Sequence, residues 1–191
     1  GTLFSAGANL GLALFAMGAG MWPEIDALIY GGQQAYTKIK FAPFPMVAAP
    51  SGMALGGGCE ILLHADHVQT HAETYCGLVE VGVGLIPGWG GCKEMLLRFQ
   101  ARERAKYAAD VGVTGQKRMW FSPNVTPMGS VRQAFEAIGT AKVAKSAAEA
   151  KDIGYFRDSD GITMNRDRLL FDAKKKVLEL AQDYRPPVEQ T

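Results

Sequence analysis

Three consecutive glycines constrain this chain more than any other feature of its sequence. Gly56, Gly57 and Gly58 lie in MALGGGCE, residues 53–60, after an apolar stretch, and Glu60 closes the segment. Each glycine inside a helix or strand costs roughly 0.5–1 kcal/mol relative to alanine. A carboxylate within the apolar sequence GGGCEILL is also expensive to bury. We therefore expect both features to serve a purpose other than packing.

The composition is that of a globular protein whose partners bind in pockets. The 191 residues are 48% hydrophobic and 20% charged, which suits one domain with at most an appendage. Twenty basic residues against nineteen acidic ones give a net charge of +1, so neither a nucleic-acid partner nor a membrane-surface partner is indicated. Gly, Pro and charged residues interrupt the longest apolar segments, which argues against a transmembrane helix or a secretory signal.

The cysteines and the start of the sequence bear on where the protein resides. Cys59, Cys76 and Cys92 follow no C-x-x-C spacing and are interpreted as small core residues in a reducing compartment. The expected location is the cytoplasm of a bacterium. The first residues, GTLFSAGANLG, lack an initiator Met and begin in what is interpreted as the last part of a strand, so we expect the chain to be a fragment.

Hydrophobic periodicity predicts an α/β fold, with the pattern strand, glycine turn, helix, strand. The helix at 22–40 is expected to be interrupted or frayed near Gly31 and Gly32, and residues 157–165 are expected to form a turn. The other predicted elements are a strand at 2–5, a helix from Leu10, a strand at 44–52, a helix at 59–66, a strand at 67–73 and helices at 92–110, 131–139, 146–154 and 166–184.

The chain is expected to have three parts. Residues 1–110 form a catalytic core, 111–130 an insertion or arm, and 131–191 a helical C-terminal region. The middle part is rich in turn-forming residues and contains the adjacent pair Trp120 and Phe121, which is interpreted either as an interface anchor or as core.

Two glutamates have the settings expected of an acid–base pair. Glu60 lies in the first turn of its predicted helix, where the helix dipole alone stabilises a carboxylate by about 0.3–1 kcal/mol. Glu80 is the only carboxylate or basic side chain between Glu73 and Lys93. Its apolar surroundings predict a raised pKa, as a general acid needs, unless it is an exposed turn residue. Together they suggest one protonated and one ionised carboxyl group.

The glycines supply a third element of such a site. Backbone amides at the N-terminus of a helix can approach a ligand closely where glycine removes the side chain, and each oxyanion donor contributes about 2.7–4 kcal/mol to transition-state stabilisation. FSAGANL, residues 4–10, provides a second glycine loop before a helix. A second candidate amide is therefore expected in this loop.

The segment from PMVAAPSGMALGGGCEILLHAD through AETYCGLVEVGVGLIPGWGG resembles the core of the enoyl-CoA hydratase/isomerase (crotonase) family. That family has an N/S-G-x-A-x-G-G-G-x-E motif, an A-D start to the next strand and an E-x-x-x-G-x-I-P-G-x-G-G loop. FSAGANL resembles its F-x-A-G-A-D-[IL] loop, with Asn9 where Asp is more common, and SAAEAKDIG resembles a later motif. The main motifs span about residues 3–100.

The resemblance implies a role for each matching residue. It assigns the oxyanion hole to the backbone amides of Ala8 and Gly57, the catalytic carboxyl groups to Glu60 and Glu80, and the lining of the water site to Gly88. It implies a spiral of β-β-α units whose N-terminal units are missing from this chain, and a helical C-terminal region used to form a trimer or a dimer of trimers. Because both glutamates are present, the implied reaction is hydration of a trans-2-enoyl-CoA in fatty-acid β-oxidation.

The implied partner is an acyl-CoA substrate, without a covalently bound cofactor. SGMALGGGCEILLHAD also resembles hydratases fused to a 3-hydroxyacyl-CoA dehydrogenase, and NAD is expected only if such a domain lies upstream, since no G-x-G-x-x-G fingerprint follows a strand in this chain. Which glutamate is the acid stays open. So do two other functions, namely another crotonase reaction such as enoyl-CoA isomerisation, and a non-catalytic binding or assembly module.

Other polar clusters have less specific interpretations. His64, His67 and His71 lie close in sequence, but no cysteine or acid completes a tetrahedral set, so we expect no metal and assign them to a helix end and a strand surface. The segment 174–176, KKK, is either a solvated helix face or a contact for the 3′-phosphate of CoA. The glycine clusters match no phosphate-binding loop, because no G-K-[ST] follows them.

Overall fold

A computed structural model describes residues 2–114 and 127–188 of the chain. Its helices are α1 (Leu10–Gly18), α2 (Trp22–Lys40), α3 (Gly57–His64), α4 (Gly91–Thr114), α5 (Pro127–Gly139), α6 (Ala147–Ile153) and α7 (Leu169–Leu180). Its strands are β1 (Val47–Ala48), β2 (Met53–Leu55), β3 (His67–His71), β4 (Tyr75–Gly77), β5 (Val143–Ala144) and β6 (Gly161–Thr163). Single-turn 3-10 helices occupy Glu80–Val83 and Arg166–Arg168.

The strands form two small sheets, and the chain alternates between them from β1 to β4. One sheet has the order β1-β3-β6 with parallel pairs throughout, and the other has the order β2-β4-β5 with β4 and β5 antiparallel. Two successive β-β-α units result, β1-β2-α3 and β3-β4-α4, and each adds one strand to each sheet. This is the α/β arrangement that the sequence predicts.

Helix α3 lies in the core of the protein, and this places the glycine motif at the centre of the fold. Seven of its eight residues are buried, including Leu62 and Leu63, which pack in one apolar cluster with side chains of β3, α4 and α6. Because the helix is enclosed along its length, its N-terminal turn is rigidly held, and Glu60 in that turn is buried with it.

Three local predictions are wrong. Helix α2 has the predicted bounds but continues without interruption through Gly32, because Trp89 packs there: a methyl group at Gly32 would lie 2.1 Å from the indole Nε1. The predicted turn at 157–165 contains β6, which pairs with β3. Of the predicted strand at 2–5, only Ser5 makes a bridge, to Ala54.

The proposed three-part division is not tested by these elements. Helix α4 continues past residue 110 to Thr114, and α5 begins at Pro127. Residues 115–126, including Trp120 and Phe121, lie outside the described residues. The division at 110 and 130 therefore stays a prediction.

The cysteines and histidines partly differ from expectation. Cys59 and Cys76 are buried as predicted, but Cys92 is exposed. His64 ends α3, as predicted, and is buried. His67 begins β3 but is buried rather than at the strand surface, and the Gly161 amide donates to its Nε2 at 3.2 Å. Within the described ranges, no group of three His, Cys, Asp or Glu side chains is arranged to hold a metal ion. No helix in the same ranges is long and apolar enough to span a bilayer.

Candidate active site

The three glycines allow three other chain segments to touch the start of α3. Gly56 adopts φ +56°, a backbone conformation that favours glycine, between β2 and the helix. A methyl group on Gly57 would lie 2.6 Å from Cζ3 of Trp89, and one on Gly58 would lie 2.6 Å from Cβ of Ser5. The motif therefore exists because backbone is needed where side chains do not fit.

The loop that contains Ala8 lies next to the start of α3. An α-helix leaves its first N–H groups without intrahelical acceptors, and Gly57 is the first residue of α3. A methyl group on Gly7 would lie 3.9 Å from the Gly57 nitrogen, which places the loop containing Ala8 beside α3. Asn9 then caps α1, since its Oδ1 accepts from the Leu12 amide at 3.2 Å. Within the described part of the chain, neither the Ala8 nor the Gly57 N–H has a hydrogen-bond acceptor.

Glu60 is held between the N-termini of two helices. It lies in the first turn of α3, as predicted, and is 1% exposed. Its Oε1 accepts from the amides of Trp89, at 2.9 Å, and of Gly91, the first residue of α4, at 2.8 Å. Burial raises the pKa of Glu60, and these two N–H groups oppose that shift. The surroundings therefore combine desolvation with donors that favour the ionised form.

Glu80 is half-buried, and the two oxygens of its carboxyl group differ in their surroundings from those of Glu60. It begins the 3-10 helix at Glu80–Val83, and its Oε2 is buried without a hydrogen-bond partner among the described residues. A methyl group on Gly56 would lie 3.5 Å from its Oε1, so the carboxyl group faces the glycine motif. Burial raises the pKa of Glu80 to about 7, with a further contribution from the charge of Glu60. This agrees with the sequence prediction of a raised pKa and keeps a large fraction of the group protonated near neutral pH.

The sequence of the first 117 residues matches the family described as enoyl-CoA hydratase/isomerase. The chain belongs to this family. A relative from Bacillus subtilis, described as a probable 3-hydroxyacyl-CoA dehydrogenase, is 38% identical over all 191 residues, which are 22% of its length. The fatty acid oxidation complex subunit alpha of Vibrio cholerae is 46% identical over 103 residues, which cover 47% of this chain and 14% of that one.

Solved structures show that the fold is crotonase-like. An enoyl-CoA hydratase from Polaromonas superposes with a TM-score of 0.66 at 22% identity, and covers 95% of this chain and 56% of its own. An enoyl-CoA hydratase from Bacillus anthracis gives 0.61 at 22% identity, over 84% of this chain and 49% of its own. The chain thus spans about half of these structures and about a fifth of the Bacillus subtilis relative.

Two aromatic residues that the sequence reasoning did not assign to the site complete its wall in this family member. The Tyr36 hydroxyl donates to the carbonyl oxygen of Gly57 at 3.0 Å. Its ring lies edge-on to the Trp89 indole, with 5.3 Å between centroids. Gly32 and Tyr36 are one helical turn apart, so one face of α2 receives the indole. The spacing of Gly32 and Tyr36 can be read from the sequence, but only the fold shows that Trp89 packs against them.

Gly88 lies in the turn that leads to these groups. Its carbonyl oxygen accepts from Gln33 Nε2 of α2 at 2.9 Å, and the next residue, Trp89, donates its amide to Glu60. The structure therefore brings Gly88 to the same wall of the site as Glu60. The segment at 174–176 lies instead on α7, where Lys176 pairs with Glu179 at 2.7 Å.

The buried His64 side chain packs against the backbone that carries Glu60 and its two donor amides. His64 Nδ1 lies 2.7 Å from the Glu60 carbonyl oxygen, to which it donates, and burial lowers the pKa of His64, so the ring is neutral. Beyond it, Glu94 is 3% exposed and accepts from Lys40 Nζ at 2.6 and 2.7 Å. A methyl group on Gly90 would lie 2.8 Å from His64 Nε2. The turn that carries the amides of 89 and 91 is therefore packed directly against His64.

Proposed function

We propose that this site adds water across the double bond of a trans-2-enoyl-CoA. The observation that carries the proposal is the pairing of Glu60, a buried carboxyl group held by two amides, with the half-buried Glu80, whose Oε2 has no partner among the described residues. Two amides without an acceptor in the described protein lie nearby. Hydration needs one group to accept a proton from water and another to deliver a proton to carbon. An isomerase needs only one group that moves a proton between carbons, so the second carboxyl group favours hydration.

The amides of Ala8 and Gly57 would receive the thioester oxygen. As water attacks the β carbon, the electrons of the carbon–carbon double bond move through the α carbon onto this oxygen and form an enolate. Donors already fixed by the fold stabilise that charge without further rearrangement. In this proposal the glycine motif serves the transition state and not the packing of the core.

The surroundings of the carboxyl groups suggest their roles. Glu60, which accepts two backbone N–H bonds, takes a proton from the water molecule as its oxygen bonds to the β carbon. Glu80, whose Oε2 has no partner in the described residues, delivers its proton to the α carbon as the enolate collapses. The proton on Glu60 then returns through solvent to Glu80, and the pair is reset. Gly88 would line the position of the water.

Turnover of crotonyl-CoA tests the reaction directly. The full-length protein is expected to remove the absorbance of the conjugated enone and to give 3-hydroxybutyryl-CoA, identified by chromatography and mass spectrometry. Incorporation of ¹⁸O from labelled water into the product distinguishes hydration from movement of the double bond. Binding of butyryl-CoA with no conversion of crotonyl-CoA would instead support a non-catalytic module.

The pH dependence of kcat/KM is expected to be bell-shaped. Glu80 must be protonated, so activity falls as pH rises through its pKa of about 7. Glu60 must be ionised, so activity falls at low pH, and burial places that decline above the ordinary range of a glutamate. Since the charge of Glu60 raises the pKa of Glu80, both limits belong to the pair. A rate that is constant from pH 5 to 9, measured with crotonyl-CoA, would contradict these roles.

The wider setting is also proposed. The names of the relatives suggest a protein of bacterial fatty-acid oxidation. We propose that it is located in the cytoplasm. Its product, a 3-hydroxyacyl-CoA, is a substrate for hydride transfer, so NAD would serve a dehydrogenase outside this chain.

We also propose a homotrimer or dimer of trimers, which the exposed Leu170, Phe171 and Leu178 of α7 support as an apolar surface. Sedimentation velocity measures this assembly.

A further inference from the structure

Tyr36 is a third polar side chain at the site that the family motifs do not include. It projects from α2, is half-buried, and its hydroxyl donates to the carbonyl of Gly57, the residue whose own amide is a candidate oxyanion donor. Burial, followed by the charges of Glu60 and Glu80, raises the pKa of Tyr36 to about 12. The hydroxyl therefore stays protonated at neutral pH and remains a hydrogen-bond donor.

Gly57 needs support from outside its own helix. Glycine has the largest backbone freedom of any residue, and Gly57 begins α3, where intrahelical hydrogen bonds restrain only one side. An oxyanion donor contributes to catalysis only if its direction is fixed before the reaction. The direction of the Gly57 amide therefore depends on the side chains packed against this residue.

Two aromatic side chains supply that restraint. The Trp89 ring lies against the Cα of Gly57, where a methyl group would come within 2.6 Å of Cζ3. Tyr36 binds the carbonyl oxygen at 3.0 Å and contacts the indole edge-on. The position of a methyl group on Gly57 would also lie 3.3 Å from the Tyr36 oxygen, so both rings meet the same residue. Gly57 is held at its Cα and at its carbonyl.

From this geometry we infer that Tyr36 is a positioning residue, which holds the first turn of α3 through the Gly57 carbonyl and so fixes the adjoining Gly57 amide toward the thioester oxygen. The inference rests on the proposed function, because it assigns that amide to the oxyanion hole. Tyr36 itself is not a catalytic acid, since its hydroxyl proton already binds the Gly57 carbonyl. Its effect is therefore expected on the enolate and not on the binding of the acyl-CoA in its ground state.

Tyr36→Phe tests the inference by removing one oxygen atom. Acetoacetyl-CoA is a suitable probe, because its enolate absorbs in the near ultraviolet and forms on the protein only if the oxyanion donors stabilise it. We expect the enolate fraction, and kcat for crotonyl-CoA, to fall about tenfold, as loss of one hydrogen bond predicts. The dissociation constant of butyryl-CoA is expected to change less than twofold. Tyr30→Phe, on the same helix at 61% exposure, is the matched control and should match the unmodified protein.

Several outcomes overturn the inference. An unchanged enolate band in Tyr36→Phe contradicts it, as does an equal loss of butyryl-CoA binding, which indicates a general disturbance of the site. If Tyr36→Phe does not fold, as judged by thermal unfolding, fluorotyrosine is placed at position 36 instead. It keeps the ring and makes the hydroxyl a stronger hydrogen-bond donor, so an unchanged enolate fraction contradicts the positioning role of Tyr36. A band without hydration of crotonyl-CoA refutes the proposed reaction alone. No band in the unmodified protein refutes the oxyanion hole and the role of Tyr36 together.

Discussion

Glu80→Gln is expected to lower kcat for crotonyl-CoA hydration by about 10³-fold, within the range of 10²–10⁴ typical of a lost general acid or base. Glutamine keeps the shape and hydrogen-bonding capacity of the side chain but has no proton to deliver to carbon. The KM is expected to change little, because in the proposed site the amides of Ala8 and Gly57, and not Glu80, receive the thioester oxygen. Steady-state kinetics at pH 7 measures both values.

The same substitution is expected to increase stability at high pH. Burial raises the folded-state pKa of Glu80 above its unfolded value, so its contribution to stability is present at low pH and is lost as pH rises through about 7. Glutamine does not ionise, so the variant should unfold at a temperature at or above that of the unmodified protein at pH 8.5. Lost activity combined with retained or higher stability is characteristic of a functional residue.

Glu73→Gln is the matched control, since Glu73 is an exposed carboxylate seven residues earlier in the same region of the chain. It should leave both kcat and the pH dependence unchanged. Activity of Glu80→Gln within threefold of the unmodified protein would contradict the proposed acid. A comparable fall in both variants would show that negative charge near the site matters and the proton does not.

Local sequence patterns predicted the elements that depend on local forces. Helix α2 has the predicted bounds, and the helix predicted at 146–154 corresponds to α6, whose N-cap Ser146 accepts from the Glu149 amide at 3.2 Å. These signals act within one or two turns of chain. The setting of Glu80 was predictable for a similar reason, since the apolar run around it is contiguous in sequence.

Elements that depend on distant partners could not be predicted in this way. Strand β6 has three residues and exists because β3, some ninety residues earlier, offers a free edge; nothing in GIT alone distinguishes it from a turn. The interruption expected at Gly32 assumed that glycine weakens a helix, whereas here it admits the Trp89 indole. The roles of Tyr36 and Trp89 at the site have the same origin, because both depend on how α2 packs against the start of α3.

Gly57→Ala is expected to lower kcat/KM for crotonyl-CoA by about 10²–10³-fold, the effect of losing one oxyanion donor. Gly57 has an ordinary helical backbone, so alanine is unfavourable here only because of its neighbours. Its methyl group would lie 2.6 Å from Trp89 Cζ3 and 3.3 Å from the Tyr36 oxygen. Either the indole or the Gly57 backbone must move, and a shift of the backbone would displace the amide from the proposed position of the thioester oxygen.

Two further variants separate this cause from a general effect of alanine. Gly31→Ala places a methyl group on α2 with no atom within 4 Å, so it should retain full activity and gain about 1 kcal/mol in unfolding free energy. Adding Trp89→Ala to Gly57→Ala removes the clash, and the double variant should be more active than Gly57→Ala alone. If the double variant is no more active than Gly57→Ala, the indole is not what excludes a side chain at Gly57. The unmodified protein, Gly57→Ala, Trp89→Ala and the double variant form a double-mutant cycle. Kinetics and thermal unfolding of these four proteins measure the coupling between Gly57 and Trp89.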